Sequence, residues 1–211
     1  MSHSTIDCSN GAQGIYHHNQ LTLADSTVRC SGGYGIYDYH GEDMLRRSTI
    51  TGGLSGIYAH DTESTVDEPD NPTEVIGIYN CVVGGGAIGA EIKWMTAEIE
   101  NSVFWGTDAG VSLLEMGGAT IRSSGFVDSS CGITTDQQFT FANNGFWDLG
   151  TNVCGGNATG AVTADPLLVS FPTDLHLGLG SPWIDTGNPA DRDTDATRAD
   201  IGQYGGALPP L

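Results

Sequence analysis

Short apolar runs alternate with polar and glycine-rich turns along the whole chain, and the apolar positions return at a fixed interval. Gly-Ile-Tyr stands at 14–16, 35–37 and 56–58, spaced by 21 residues each time. Ser4-Thr5-Ile6, Ser26-Thr27-Val28 and Ser48-Thr49-Ile50 run beside it, spaced by 22. A period in this range marks one structural unit stacked on copies of itself. Each unit reads as a short apolar strand, a Gly/Ser-rich turn, a second strand and a polar turn, with a further inward position closing it. No stretch sustains apolar residues at i, i+3, i+4, i+7, so an α-solenoid is excluded.

Aligning the units predicts three inward columns. The first runs Ile6, Val28, Ile50, Val82, Val103, Phe126 and Phe146. The second runs Ile15, Ile36, Ile57, then Ile88 or Ala90, Val111 and Ile133. The third runs Leu23, Leu45, Ile78, Ile99, Ile121 and Phe141. One such coil has no core of its own; stacking buries each apolar position against its counterparts above and below. About six to seven coils give a stack about 30 Å tall at the usual inter-strand spacing. Gly77-Ile78-Tyr79 also falls 21 residues after Gly56, but Asn80-Cys81-Val82-Val83 behind it matches the first strand. Ile78 therefore joins Leu23 and Leu45, and the third coil carries an acidic, proline-bearing insertion at about 59–74 that is expected to bulge out as a loop.

These coils, assigned to residues 1–155, resemble the right-handed parallel β-helix proteins of the pectate-lyase-like superfold over about residues 4–155. The remainder, 156–211, contains Asp165-Pro166-Leu167-Leu168, Asp174-Leu175-His176-Leu177, Gly180-Ser181-Pro182-Trp183-Ile184-Asp185-Thr186-Gly187 and Ala199-Asp200-Ile201-Gly202-Gln203-Tyr204-Gly205-Gly206. These phrases resemble the C-terminal region of secreted bacterial β-helix proteins. The resemblance implies an all-β, single-stranded solenoid, an irregular segment that closes the helix end and packs back on it, and an extracellular or cell-surface location. The superfold hosts lyases, hydrolases, epimerases, adhesins and capsid-tail proteins, so it names no reaction.

Composition narrows the partners. With 26 acidic and 7 basic residues the net charge is −19; such a surface repels nucleic acid. It suits extracellular, salty or calcium-rich surroundings, or serves as a solubility device. No apolar run is long enough to span a bilayer, and no basic n-region precedes an apolar stretch. Met1 leads directly into a repeat phrase, so the chain reads as a trimmed or mature fragment. An open helix end would expose strand edges that invite a neighbouring protein subunit. Cys8 and Cys30, 22 apart, and Cys131 and Cys154, 23 apart, fall at equivalent positions of adjacent coils. They are expected either as disulfides, for which the spacing is suitable, or as buried thiol stacks. Cys81 is left over.

Two regions could carry chemistry. If Ile15, Ile36 and Ile57 point inward, alternation turns Tyr16, Tyr37 and Tyr58 outward, with His18, Tyr39 and His60 two residues on. Asp38, His40, Glu42 and Asp61 lie near in sequence. These rings could stack on sugars, could supply an acid and a base at a uronate carbon, or could form a ladder that only stabilises itself. Asp38-Tyr39-His40-Gly41-Glu42 is similar in part to the Asp-Pro-His-Glu stretch of β-helix mannuronan epimerases, with Asp and His at the same spacing and Glu displaced by one. The second region is the tail, where Asp191, Asp193, Asp195 and Asp200 could converge on calcium, or form a solvated acidic turn. Its spacing lacks the glycine and glutamate of an EF-hand. No zinc spacing, phosphate loop or nucleophile elbow is present.

The expectation is a surface-exposed module that binds polysaccharide or a neighbouring subunit through the Tyr/His face. The alternative is a lyase or C5-epimerase on uronate glycans, with Tyr37, Asp38, Tyr39, His40 and His60 as its catalytic set.

Overall fold

The computed structural model describes residues 1–9, 11–61 and 74–206. Among these the chain is a parallel β-helix. Strand Thr5–Cys8 pairs in parallel with Thr27–Cys30, and that with Thr49–Gly52. Ile15–Ala24 pairs likewise with Tyr34–Arg46, which pairs onward with Ser55–His60 and Val75–Tyr79.

The register gives three interior columns, each of seven rungs. The second is Ile15, Ile36, Ile57, Ala90, Val111, Ile133 and Val153; Ala90, not Ile88, fills the fourth rung. The third runs Leu23, Leu45, Ile78, Ile99 and Ile121 as the pattern predicts, and Phe141 is backed by Ala158 in the last coil. The first departs from expectation. Ile50 is opposite Val83, and Val83 opposite Phe104, so the interior column is Ile6, Val28, Ile50, Val83, Phe104, Phe126 and Phe146. Val82 and Val103 are outward, yet buried. Two adjacent apolar residues at each rung hid which one faced in, because both of its faces are covered.

What covers the outer face is the C-terminal segment. The last coil runs on to the strand Asn157–Thr159. After it a small antiparallel pair, Leu168–Ser170 with Asp174–Leu177, leads to Trp183. Trp183 is fully buried with Val82, Val103, Val127, Leu175 and Ile201. It fits because Gly125 and Gly145 carry no side chain; a Cβ on either would lie 2.4 Å from the indole. The tail also runs along a corner of the coils. Asn80 Nδ2 donates to the carbonyls of Gln203 and Gly205, and the Asn188 N–H donates to Ser123 Oγ.

Corners are set by side chains that repeat from coil to coil. After each third strand stands a residue in the left-handed region: Asp25, Arg47, Asn80, Asn101, Ser123 and Asn143, with φ between 44° and 56°. Next comes a serine column. The N–H groups of Ser4 and Ser26 donate to the hydroxyls of Ser26 and Ser48, and those of Cys81 and Ser102 to the hydroxyls of Ser102 and Ser124. Cys81 is thus one rung of this column, its thiol 3.3 Å from the Tyr79 carbonyl. The other cysteines form the disulfides Cys8–Cys30 and Cys131–Cys154, with Cα separations of 4.6 and 6.3 Å. The glycine of each Gly-Ile-Tyr phrase is sterically required: a Cβ on Gly35 would lie 2.6 Å from the Gly56 carbonyl oxygen.

The two repeat periods, 21 and 22, differ because the step from the Ser-Thr phrase to the Gly-Ile-Tyr phrase shortens by one residue per coil, from ten (Ser4 to Gly14) to nine (Ser26 to Gly35) to eight (Ser48 to Gly56). Coil two has one more residue than coil one between Ile36 and Leu45, and the register slips after His17 to pair Asn19 with Gly41. This is a β-bulge. His40 sits in it with φ 60°.

A ring-covered face above a buried acidic cluster

Alternation along the second strand turns Tyr16, Tyr37 and Tyr58 outward, one above another. Ring centroids are 5.4 Å apart for Tyr16–Tyr37 and 5.1 Å for Tyr37–Tyr58. Tyr34 packs on Tyr37 and Tyr58 at 5.3 and 5.2 Å. A second column, His18, Tyr39 and His60, meets at 5.0 and 4.7 Å. The Lys93 ammonium stands 5.4 Å over the Tyr58 ring and bonds Glu91 at 2.6 Å. All six predicted ring residues therefore come together, and Tyr34, Lys93 and Trp94 join them. Within the ladder ring faces are occupied by other rings. Tyr16, at the end of the column, is 56% exposed.

The polar ends of the rings are tied together. Tyr16 Oη is 2.8 Å from His18 Nε2. Tyr37 Oη is 3.3 Å from His60 Nε2, while His60 Nδ1 is 3.0 Å from the Asp61 carbonyl oxygen. His60 can donate from Nδ1 and accept the Tyr37 proton at Nε2. Burial, with the neighbouring tyrosines behind it, raises the Tyr37 pKa, so the phenol stays protonated at neutral pH. It suits a hydrogen-bond donor or an acid better than a base.

Asp38 is not on this face. It follows Tyr37, so alternation sends it inward, where it is fully buried. It occupies a column whose lower rungs are Ala59, Ile92 and Leu113, and whose upper neighbour is His17. Asp43 is buried in a second column, between Leu21 and Ile76. His17 lies between them, Nδ1 3.5 Å from Asp38 Oδ1 and Nε2 3.2 Å from Asp43 Oδ2. Burial first, then the charge of Asp43, pushes the Asp38 pKa up to about 7. A carboxyl in that position cannot touch a polymer lying on the rings. The sequence signal was available: one column that is apolar below is ionisable in both of the first two coils, at His17 and Asp38, and a second is ionisable in coil two, at Asp43.

His40 contacts Asp61 on the outer side of the same bulge, with Glu74 close by. Burial, followed by the Asp61 charge, raises the Glu74 pKa. Asp61 and Glu74 flank the acidic insertion, which for residues 62–73 lies outside the described residues.

Among the tail aspartates, Asp193, Asp195 and Asp200 lie close enough to act on one another's charge, while Asp191 turns to other partners. Asp191 accepts from Asn188 Nδ2 at 2.8 Å and faces Arg122 at 3.6 Å. Asp200 accepts the Asp185 N–H at 2.7 Å. Asp193 and Asp195 interact, and both engage Thr197. Among the described residues, the groups of three ligand-type side chains that converge are His17/Asp38/Asp43 and His40/Asp61/Glu74. A further concavity, of about 600 Å³, is lined by Trp105, Asp128, Ser130, Asp148 and turn glycines; no repeat phrase had pointed to it.

No protein-family model matches this chain, and no curated protein or solved structure matches it either.

Proposed function

We propose that this chain is an extracellular or cell-surface binding module whose Tyr/His face recognises a neutral polysaccharide. One observation carries the reading: rings from the first three coils converge on one face on which no described residue of the C-terminal segment packs, whereas that segment buries the apolar outer face of the later coils. Rings held by one another lose little side-chain freedom on binding. Their hydroxyl and imidazole edges supply the few polar contacts that orient a sugar, and Tyr16 offers a ring face to solvent. A net charge of −19 disfavours polyanions. Two disulfides accord with an oxidising compartment.

Action on a uronate polymer is the second reading, and one observation favours it: His40, Asp61 and Glu74 converge beside Tyr39. Tyr39, His40 and His60 are its candidate acid and base, and Asp38 would act on them only from below.

A panel of neutral and acidic polysaccharides, with and without calcium, tests both readings by affinity electrophoresis and by ultraviolet absorbance of the unsaturated product. The expected result is retardation by a neutral glycan, no new absorbance, and about tenfold weaker binding in Tyr16→Ala and Tyr39→Ala. Retardation lost in Trp105→Ala but kept in both tyrosine variants would move the site to the cleft. No retardation by any glycan would discard the reading in favour of a protein partner.

A further inference from the structure

The interior of a β-helix is the costliest place in the molecule for a carboxylate, yet two stand side by side in it. Asp38 and Asp43 replace apolar residues in columns that are otherwise Ala59, Ile92 and Leu113, and Leu21, Ile76 and Ala97. Both side chains are wholly shielded from solvent, and His17 beside them is 14% exposed. Asp43 Oδ1 accepts the Leu21 N–H at 3.0 Å. The other five polar atoms of the cluster have no hydrogen-bonding partner among the described residues: both nitrogens of His17, both oxygens of Asp38, and Asp43 Oδ2. Buried polar groups are nearly always satisfied, and an uncompensated buried charge costs several kcal/mol. Four of the five face one another as ion pairs that miss hydrogen-bond geometry, and Asp38 Oδ2 faces no partner among the described residues, an arrangement that leaves a place for a further partner.

A proton on His17 is an incomplete answer. Imidazolium between two carboxylates leaves one negative charge over unless Asp38 also takes a proton; in either form the His17 nitrogens and both Asp38 oxygens have no aligned hydrogen-bond partner among the described residues. A divalent cation balances two carboxylates and a neutral imidazole. One ligand atom from each residue lies within 4.8 Å of the others. Ligand atoms about 2.0–2.2 Å from a tetrahedral ion stand about 3.3–3.6 Å apart; an ion held through one imidazole nitrogen would draw the three ligand atoms, which lie within 4.8 Å of one another, slightly closer. A nitrogen donor with only two carboxylates suits a transition metal; calcium takes six to eight oxygens.

We propose that His17, Asp38 and Asp43 hold a divalent transition-metal ion of the zinc or manganese type inside the first two coils. The ion ties coil one, through His17, to coil two, through Asp38 and Asp43, across the bulge on which Tyr37 and Tyr39 are displayed. It is independent of what those rings bind.

The test is calorimetric titration of chelator-treated full-length protein with Zn²⁺, Mn²⁺ and Ca²⁺, with thermal melts and ¹⁵N-histidine spectra alongside. We expect about one equivalent of Zn²⁺ or Mn²⁺ per chain, a higher Tm with either and not with Ca²⁺, and a shift of the His17 ring signals on adding Zn²⁺. His17→Gln and Asp43→Asn should weaken binding by about 100-fold or more, and His40→Gln, which takes the imidazole from the outer cluster, should leave it unchanged. The proposal falls if the wild-type protein takes up neither metal and its Tm ignores chelator. It falls equally if binding survives His17→Gln and disappears in His40→Gln. Should His17→Gln fail to fold, the wild-type titration and the ring signals still decide.

Discussion

The two ends of this solenoid solve the same packing problem with opposite chemistry. In coils five to seven the interior is a stack of phenylalanines: Phe104, Phe126 and Phe146 lie at 5.6 and 5.3 Å, within 17° of parallel. The outer face there is sealed by Trp183. In coils one and two the interior holds His17, Asp38 and Asp43, and the aromatic rings are outside, facing solvent. A repeat needs only that like sit on like. Apolar columns and polar columns both meet that rule, but only the apolar kind is stable without a partner. The C-terminal end is therefore built for stability, and the N-terminal end gives up some of it by burying ionisable groups and leaving its rings outside.

The largest effect is expected where the apolar stack is broken. Phe126→Ala removes the middle ring from a rigid interior and should cost about 3–5 kcal/mol in urea unfolding. Tyr37 is the middle ring of the outer ladder, half-buried, and truncating it should cost clearly less. Equal losses from the two substitutions would mean that the outer ladder is part of the core, and the contrast between the ends would collapse.

Filling the buried acid with carbon should have the opposite sign. Asp38→Leu continues the column Ala59, Ile92 and Leu113 and removes a shielded carboxylate. In chelator the variant should be more stable than the wild type by about 1–4 kcal/mol, the range seen when buried ionic groups become apolar. Adding Zn²⁺ should narrow or reverse that difference. A loss of stability in chelator would show that Asp38 is already well compensated by His17.

Most of the architecture was legible because a solenoid repeats its instructions. Ile36, Ile57, Leu45 and Ile99 could be placed in their columns without a structure, and so could the outward rings of Tyr16, Tyr37 and Tyr58. Errors arose where the repeat carried two apolar residues in a row. Val82-Val83 and Val103-Phe104 each offered two inward choices, and the covering Trp183 is distant in sequence. Asp38 was misplaced for another reason. Its chemistry suggested the surface, while its position, one after an outward tyrosine, dictated the interior; position won. Asp43 was overlooked for want of a motif, although its column neighbours Leu21 and Ile76 marked it as inward. The convergence of Asp61 and Glu74 on His40 depends on both ends of the insertion returning to one place, which no local pattern encodes.

The smallest effect concerns the corners, where the two ends differ again. Lower corners are held to the tail by neutral hydrogen bonds through Asn80 and Ser123, with Arg122 adding a longer charged contact to Asp191. The upper corner is held by charge: Asp25 receives Arg47 Nε at 2.6 Å and Nη2 at 2.7 Å. That guanidinium lowers the Asp25 pKa. A depressed carboxylate contributes stability that is fully present above its unfolded value of about 3.9 and is lost as the pH falls through the folded value. Asp25→Asn keeps a residue that tolerates the left-handed conformation while removing the charge. It should cost about 0.5–1 kcal/mol at pH 7, and the gap between variant and wild type should close as melts are taken from pH 5 down to about pH 2. At Asn80, Asn80→Ala should instead give a deficit that does not change with pH over that interval, because no proton is gained or lost there. A pH-independent deficit at Asp25 would mean that shape rather than charge holds the upper corner, and the two ends would be alike in this respect.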